Sequence, residues 1–224
     1  MLRQASLTLD DSALFAVSDG VTASRGAAAA SKLVIEALVK GGIESRLVGK
    51  RVRQGHQVLC DRYAGTARRG CSATLVAARI AGSDLEIVNV GDSRAYLIRE
   101  CGNWQQVSQD HTVLNELIAS GEIQAERGVQ YAQMYDGLAH CLTADHEECD
   151  FPVHYWQGDF KAGNSLLLCS DGMHDALGDF QIQALYEPEK SVYGQVEIWR
   201  QAVMDAGAQD NFSLIFIRRQ TIKR

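Results

Sequence analysis

The sequence lacks a long apolar run, a secretory leader and an excess of positive charge. No hydrophobic stretch approaches the roughly 18 residues that a membrane-spanning helix needs, and no signal-peptide pattern precedes the first β-like segment. The formal net charge is −6 over 224 residues, which provides no basic face for a nucleic acid. These absences predict a soluble cytoplasmic protein with neither a membrane nor a nucleic-acid partner.

The six cysteines form no C-x-x-C pair, so a zinc site built from thiolates is not expected. Six thiols in a chain of this length do not form a disulfide scaffold, which favours a reducing compartment. Cys71 and Cys169 lie in apolar segments and are predicted to be small core residues. Four histidines without metal-ligand spacing are predicted to be surface or loop residues: His140, His146, His154 and His174.

No repeat, low-complexity segment or linker interrupts the chain, which predicts one domain over residues 1–224. Apolar segments bounded by turn residues predict strands, and Ala-rich or helically periodic segments predict helices. The predicted strands are a hairpin of 5–9 with 13–17, an antiparallel meander of 72–80, 85–90 and 94–99, and two strands at 165–170 and 212–217. The predicted helices are 26–40, 45–63, 110–120, 176–186 and 192–206. Residues 122–163 lose periodicity and are expected to be irregular.

Two of the strand-like segments end in the same tripeptide. Residues 14–20 read L-F-A-V-S-D-G, and residues 166–172 read L-L-L-C-S-D-G. A carboxylate at the end of a buried strand is costly unless a positive charge meets it. Asp19 and Asp171 therefore suggest a shared cation.

Two further acids lie at abrupt turns next to apolar strands. Asp92 stands in Gly-Asp-Ser-Arg, and Asp210 stands in Asp-Asn before the last strand. Hard oxygen ligands without histidine suit Mg²⁺ or Mn²⁺ rather than zinc or copper. The alternative interpretation is that each Asp-Gly simply forms a turn.

Six short blocks follow one another along the chain: F-A-V-S-D-G-V, G-C-S-A-T, V-N-V-G-D-S-R-A-Y, Q-D-H-T, L-L-L-C-S-D-G and Q-D-N-F-S. In this order, and over nearly the whole chain, they resemble the metal-dependent protein phosphatases of the PPM (type 2C) family. The resemblance implies an α+β fold in which two antiparallel β-sheets pack as a sandwich flanked by α-helices, a four-layer αββα arrangement. It also implies hydrolysis of phosphoserine and phosphothreonine in proteins, and it places the family's flap at about 122–160.

The resemblance further implies a centre of two Mn²⁺ or Mg²⁺ ions. Asp19 matches the acid that bridges both ions, and Gly20 matches the residue that contributes its carbonyl. Asp171 and Asp210 match the other acids on the first ion, and Asp92 matches an acid that helps hold a third, looser ion in bacterial relatives. Asp19, Asp171 and Asp210 are thus the predicted catalytic residues, acting through a metal-activated water. The implied partners are a phosphoprotein substrate and a cognate Ser/Thr kinase system.

The start of the sequence departs from this family pattern. The family opens with an Arg and an Asn-Glu-Asp or Asn-Gln-Asp block opposite the first Asp-Gly, whereas hairpin register places Gln4, beside Arg3, at that position. Without a carboxylate there, and with the family's first strand absent, a weakened second metal site and an exposed sheet edge are expected. Two alternatives to an active protein phosphatase stay open: a pseudophosphatase that acts as a binding or regulatory module, and a small-molecule phosphatase.

Two residues inside the matching blocks are expected to have structural roles. His111, in Q-D-H-T, is predicted to lie at a helix start, with proton transfer as the alternative. Arg94, in G-D-S-R, is predicted to form an ion pair, with orientation of Asp92 as the alternative. The acid that protonates the leaving group is unassigned, because Val21 occupies the place of the histidine that some relatives carry.

Overall fold

The computed structural model describes residues 12–42, 48–127, 134–135 and 137–220. Within these ranges the strands are β1 (Ala13–Val17), β2 (Ser72–Ala73), β3 (Leu75–Ala81), β4 (Asp84–Val90), β5 (Arg94–Ile98), β6 (Trp104–Gln106), β7 (Leu142–Thr143), β8 (His154–Asp159), β9 (Ser165–Cys169) and β10 (Leu214–Arg218). The described α-helices are α1 (Ala27–Lys40), α2 (Val48–Tyr63), α3 (Val113–Ala119), α4 (Asp171–Ala184) and α5 (Val192–Asp205). The predicted strand at 5–9 lies outside the described residues.

Two four-stranded antiparallel sheets form the centre of the described fold. The first sheet has the order β1-β3-β4-β8, and the second has the order β10-β9-β5-β6. In the first sheet, Phe15 of β1 lies opposite Ala78 of β3. In the second, β9 lies between β10 and β5 and is buried along its whole length. Burial on both faces explains why β9 reads as a continuous apolar run rather than an alternating one.

The two sheets pack face to face because each strand alternates its side chains between two faces. Val76 of β3 packs in one apolar cluster with Leu97 of β5 and Leu168 of β9, between the sheets. Its neighbour Leu75 points to the opposite face and packs in a second cluster with residues of α1 and α2. The first sheet is therefore covered by the second sheet on one face and by helices on the other.

The second sheet is covered in the same way by α4 and α5. Leu167 of β9 packs with Met173 of α4 and Trp199 of α5. Trp199 is fully buried, and its indole N–H donates to the carbonyl of Ile182 at 2.9 Å, so its one polar atom is satisfied. Burial of each large apolar side chain stabilises the fold by roughly 1.5–3 kcal/mol. The order helix, sheet, sheet, helix confirms the predicted four-layer α+β fold.

The predicted meander of three strands is wrong at its last step. β3 and β4 form the expected hairpin, but β5 leaves the first sheet and pairs with β9 and β6 in the second. Gly91, at φ 97°, makes the change of direction between β4 and β5 possible, because few L side chains tolerate that backbone conformation. The segment Gly91-Asp92-Ser93 therefore crosses between the sheets, and Asp92 lies on this crossing.

Sequence reasoning also missed β8, in the stretch expected to be irregular. β8 pairs with β4 in the first sheet, and its residues alternate between half-buried and exposed positions. Such a one-sided strand carries few apolar residues, so it gives only a weak sequence signal. The extent of the predicted flap at about 122–160 stays a prediction.

Two helices begin elsewhere than predicted. α3 begins at Val113 rather than at 110, because the Thr112 hydroxyl caps it by accepting the N–H of Asn115. α4 begins at Asp171 rather than at 176, and Gly178, at φ 69°, interrupts it. Across the described residues no helix has the length and apolar character that a membrane span requires.

Candidate metal centre

The two Ser-Asp-Gly segments end strands of different sheets, and their carboxyl groups meet. Asp19 follows β1 of the first sheet, and Asp171 follows β9 of the second. The pKa of Asp19 is raised to about 7, first by burial, then by a hydrogen bond with the Asp171 carboxyl and by the charges of Asp171 and Asp210. When two carboxyl groups lie this close, the pKa of one is raised because both cannot ionise without repulsion. The sandwich thus gathers three of the predicted ligands at one end.

These three aspartates share one local hydrogen-bond pattern. In each, Oδ1 accepts the backbone N–H of the following residue, at 2.9 Å for Asp19, 2.7 Å for Asp171 and 2.7 Å for Asp210. One carboxylate oxygen is therefore fixed by the backbone. A carboxylate has about four acceptor positions, so each group keeps the capacity to bind a neighbour.

Glycine after Asp19 and Asp171 is required by close backbone packing. A Cβ on Gly20 would lie 2.5 Å from the backbone carbonyl of Ala27, at the start of α1. A Cβ on Gly172 would collide with the carbonyl oxygen of Asn211. The second contact brings the Asp210-Asn211 turn against the start of α4, which explains why Asp210 lies beside Asp171.

Thr74 clamps the end of β1, a role that sequence reasoning missed. The N–H of Asp19 donates to the Thr74 hydroxyl at 3.1 Å, the N–H of Thr74 donates to the carbonyl of Asp19 at 2.7 Å, and the Ser18 hydroxyl donates to the carbonyl of Thr74 at 2.6 Å. The Thr74 hydroxyl also shares a hydrogen bond of 2.7 Å with Ser93, on the crossing between the sheets. Thr74 lies in the block G-C-S-A-T and Ser93 in the block G-D-S-R, so the resemblance marked both residues without indicating that they are hydrogen-bonded.

Asp92 lies on the same crossing and faces Asp171. The pKa of Asp92 is raised to about 6, first by burial and then by the charge of Asp171, while the charge of His174 lowers it. Oδ1 of Asp92 is buried and has no hydrogen-bond partner among the described residues. A buried carboxylate oxygen without a donor is costly, and a cation is one group that would satisfy it.

The residues present fit a hard divalent cation. The donors gathered here are carboxylate oxygens, which Mg²⁺ and Mn²⁺ prefer, and their mutual repulsion would be relieved by positive charge. Within the described ranges, no three His, Cys, Asp or Glu side chains already converge closely enough to encircle an ion. The fit therefore rests on the Asp19–Asp171 contact and on the unpartnered oxygen of Asp92. Gln4 and Arg3, expected opposite Asp19, lie outside the described residues.

A cavity of about 410 Å³ gives access to two of these acids, Asp171 and Asp210. It is lined by Asp171 and Asp175 of α4 and by Gln209 and Asp210 of the turn between α5 and β10, among others. Its walls are mostly polar and acidic. A phosphate dianion would be repelled by these residues alone, so a bound cation is required for an anionic substrate to enter.

Arg94 forms the predicted ion pair and does not contact Asp92. Its Nε and Nη2 atoms lie 2.8 Å and 2.6 Å from Oδ2 of Asp110, and its Nη1 lies 3.1 Å from Oδ1 of Asp179. Gln106 donates to the other oxygen of Asp110 at 2.9 Å. This network fixes the Q-D-H-T block against the start of β5.

His111 has the predicted structural role. It is buried, and its ring Nδ1 accepts the backbone N–H of Gly91 at 3.0 Å. The backbone N–H of His111 donates to the carbonyl of Gly91, also at 3.0 Å. Burial lowers the pKa of His111 to about 4, so the ring stays neutral and keeps its acceptor. His111 thereby anchors the residue that precedes Asp92.

The prediction that His174 is a surface or loop residue is wrong. It lies in the first turn of α4 with 5% of its surface exposed, because the helix begins earlier than the sequence indicated. Its ring nitrogens contact the carbonyl of Asp92 and the carboxylate of Asp175. Cys71 and Cys169 are fully buried, as predicted.

Comparison with known proteins agrees with this fold. The family model described as "Protein phosphatase 2C" matches residues 4–202. The curated serine/threonine protein phosphatase PstP of Mycobacterium tuberculosis is 30% identical over 212 residues, which cover 90% of this chain and 39% of that protein. The serine/threonine phosphatase stp of Listeria welshimeri is 28% identical over 69% of this chain and 60% of its own length. The matched regions thus span less than two thirds of either curated relative.

Solved structures extend the likeness to three dimensions. The crystal structure of M. tuberculosis PstP/Ppp superposes with a TM-score of 0.80 at 28% identity, covering 98% of this chain and 95% of that one. A PstP catalytic domain in complex with two manganese ions superposes with a TM-score of 0.74 at 28% identity, covering 96% and 92%. Since the family model spans most of the chain and the fold matches throughout, the chain belongs to the protein phosphatase 2C family.

Proposed function

We propose that this chain hydrolyses phosphoserine and phosphothreonine in proteins and depends on Mn²⁺ or Mg²⁺. The observation that carries the proposal is the meeting of Asp19 and Asp171 from two different sheets, with the charge of Asp210 acting on the same carboxyl group. A structural role alone would not favour burying close carboxylates without a basic partner.

The ligands proposed for two ions are Asp19, the carbonyl of Gly20, Asp171 and Asp210, with Asp92 beside Asp171 for a third and looser ion. When bound, such ions lower the pKa of water and neutralise charge on phosphoryl oxygens. The second ion is proposed to bind more weakly, because a neutral amide at Gln4 is a poorer ligand for a dication than a carboxylate.

The chain itself supplies rigidity and access. The Thr74 clamp fixes the backbone on both sides of Asp19, and the α4 start fixes Asp171 through the N–H of Gly172. Ligands held on strand ends and on a helix start keep their geometry better than ligands on free loops. A phosphorylated side chain would enter through the cavity that Asp171 and Asp210 line.

The proposed substrates are phosphoproteins produced by a Ser/Thr kinase. Curated relatives carry the name serine/threonine protein phosphatase. A small-molecule phosphatase would act on p-nitrophenyl phosphate as readily as on a phosphopeptide. The ratio of kcat/KM for the two substrates therefore tests substrate class separately from the chemistry.

The decisive experiment measures release of phosphate from a phosphothreonine peptide with Mn²⁺, with EDTA and with Asp171→Asn. We expect turnover with Mn²⁺ and none with EDTA. Asp171→Asn should reduce kcat/KM at least about a hundredfold, because loss of even a partner of a metal ligand costs 10–100-fold. Asp61→Asn is the matched control, since Asp61 is exposed on α2, where it accepts a hydrogen bond from Gln57 at 2.7 Å. No turnover by folded, Mn²⁺-saturated protein would refute the proposal and leave a binding or regulatory module.

A further inference from the structure

His174 lies buried beside two of the candidate metal ligands, Asp92 and Asp171. It is the fourth residue of α4, three after Asp171, and 5% of its surface is exposed. Its Nε2 lies 3.1 Å from the backbone carbonyl oxygen of Asp92, and its Nδ1 lies 2.9 Å from Oδ1 of Asp175. A carbonyl and a carboxylate only accept hydrogen bonds. Nε2 of His174 therefore donates its hydrogen to the carbonyl of Asp92.

These two hydrogen bonds connect elements that are otherwise separate in the chain. Asp92 belongs to the crossing between β4 and β5, whereas Asp171, His174 and Asp175 belong to the first turn of α4. The Nε2 contact fixes the backbone of Asp92. The Nδ1 contact fixes the ring, because Asp175 determines which way the imidazole faces.

The carboxylate of Asp92 needs such an anchor. It is buried, faces the charge of Asp171 and leaves Oδ1 without a partner among the described residues. Repulsion from Asp171 favours movement of Asp92 away from the site. The hydrogen bond from His174 opposes this movement at the backbone of Asp92.

We propose that His174 is a positioning residue that holds Asp92 against Asp171, so that the two carboxylates can share a divalent cation. The inference rests on the proposed function only in assuming that the acids bind metal. Asp175 orients the His174 ring through its 2.9 Å contact with Nδ1 and thereby takes part in positioning Asp92. The role requires contact with neither the phosphate nor the ion.

The test measures Mn²⁺ binding to the full chain by isothermal titration calorimetry and by electron paramagnetic resonance of free Mn²⁺, at one fixed pH. His174→Ala should weaken the loosest Mn²⁺ about tenfold, the effect expected when a hydrogen bond that orients a ligand is lost. It should leave tighter binding unchanged, because Asp19 and Asp210 keep their own backbone anchors. His174→Gln should recover most of the loss, because its amide N–H can replace the Nε2 contact with Asp92. His146→Ala is the control, since His146 is an exposed histidine, and it should bind Mn²⁺ as the unaltered chain does.

Several outcomes would overturn the proposal. Folded His174→Ala protein with unchanged Mn²⁺ affinity and stoichiometry would do so, and so would a loss that His174→Gln does not recover. If His174→Ala fails to fold, Asp175→Ala decides, because it frees the ring and should cause a smaller loss of the same kind. Unchanged binding in that variant also overturns the proposal. If the unaltered chain binds Mn²⁺ but hydrolyses no phosphopeptide, the proposed function fails and the role of His174 is still decided by binding.

Discussion

Replacement of Thr74 by valine should destabilise the protein and loosen the metal centre together. Valine keeps the shape of threonine and removes one hydroxyl. That hydroxyl accepts the N–H of Asp19 at 3.1 Å and shares a 2.7 Å hydrogen bond with Ser93. Thr74 and Ser93 are both buried, at 3% and 0% exposure, so water cannot replace the lost partners. The variant therefore leaves two polar groups unsatisfied where the two sheets meet.

The size of the effect follows from those two groups. A buried hydroxyl left without a partner costs about 1–3 kcal/mol, and a lost hydrogen bond to a half-buried N–H costs about 1 kcal/mol. The free energy of unfolding should thus fall by about 2–4 kcal/mol in Thr74→Val. Ser93→Ala should cost about 1–2 kcal/mol, because the Thr74 hydroxyl still accepts the N–H of Asp19.

A double-mutant cycle separates this interaction from general damage. In the double variant the orphaned Ser93 hydroxyl is gone, so the combined cost should be about 1–2 kcal/mol less than the sum of the single costs. Urea unfolding in EDTA gives these free energies. Mn²⁺ titration of the same proteins should show weaker binding in Thr74→Val, because the N–H of Asp19 loses its anchor.

Additive costs in the cycle would refute the shared hydrogen bond between Thr74 and Ser93. Unchanged Mn²⁺ affinity in a folded Thr74→Val protein would refute the claim that the clamp positions Asp19. Thr66→Val is the matched control, since the Thr66 hydroxyl also donates to one group, the carbonyl of Tyr63, and accepts from another, the N–H of Arg68, but at an exposed turn. Such surface changes alter stability by about 0.5 kcal/mol or less.

Three further predictions concern acid stability, backbone packing and the pH dependence of metal binding. Because burial lowers the pKa of His111 to about 4, the unfolded chain binds more protons between pH 6.5 and 4. The free energy of unfolding should fall by up to about 3 kcal/mol as the pH drops through that window, and His111→Asn should flatten the slope in urea titrations at a series of pH values. Gly172→Ala should abolish Mn²⁺ binding or folding, because the new Cβ would collide with a backbone carbonyl. Gly49→Ala is the control: a Cβ there would have no atom within 4 Å, and alanine favours helix α2, so the urea midpoint should rise. Because the pKa of Asp19 is raised to about 7, metal-free protein should lose stability as the pH rises from 4 to 7. Mn²⁺ affinity measured by calorimetry should rise over the same range, because the metal displaces the proton. An affinity that does not change with pH would contradict the raised pKa of Asp19.

The fold was predictable where the signal is local in the chain. The Ala-rich segment of α1 and the apolar run of β9 each specify their structure without reference to distant residues. The sheet that a strand joins is not a local property. β5 follows β4 after a short turn, as a meander strand would, and yet it pairs with β9. The alternation of β8 was too polar to distinguish it from a loop, because only one of its faces is covered.

The acids of the candidate site were predictable from the sequence, whereas the residues that hold them in place were not. The repeated tripeptide pointed to Asp19 and Asp171, which the structure brings together. The roles of Thr74 and His174 depend on contacts across 55 and 82 positions of sequence, respectively, and no pattern in one sequence contains such information. His174 was misjudged because α4 was expected to start after it.

The tripeptide Ser-Asp-Gly occurs twice for a local structural reason, and duplication of a segment of the chain is not needed to explain it. Asp19 is followed by a turn toward α1, and Asp171 is the first residue of a helix, so their surroundings differ. In both, Oδ1 accepts the N–H of the next residue, and that residue must be glycine because another backbone passes too close for a Cβ. The same local solution therefore arises on each sheet, since each must present a fixed carboxylate where the two sheets meet. The same hydrogen bond forms at Asp210, where the next residue is Asn211 rather than glycine. Here the carbonyl of Asn211 itself lies against Gly172, so the glycine that this close contact requires is in α4.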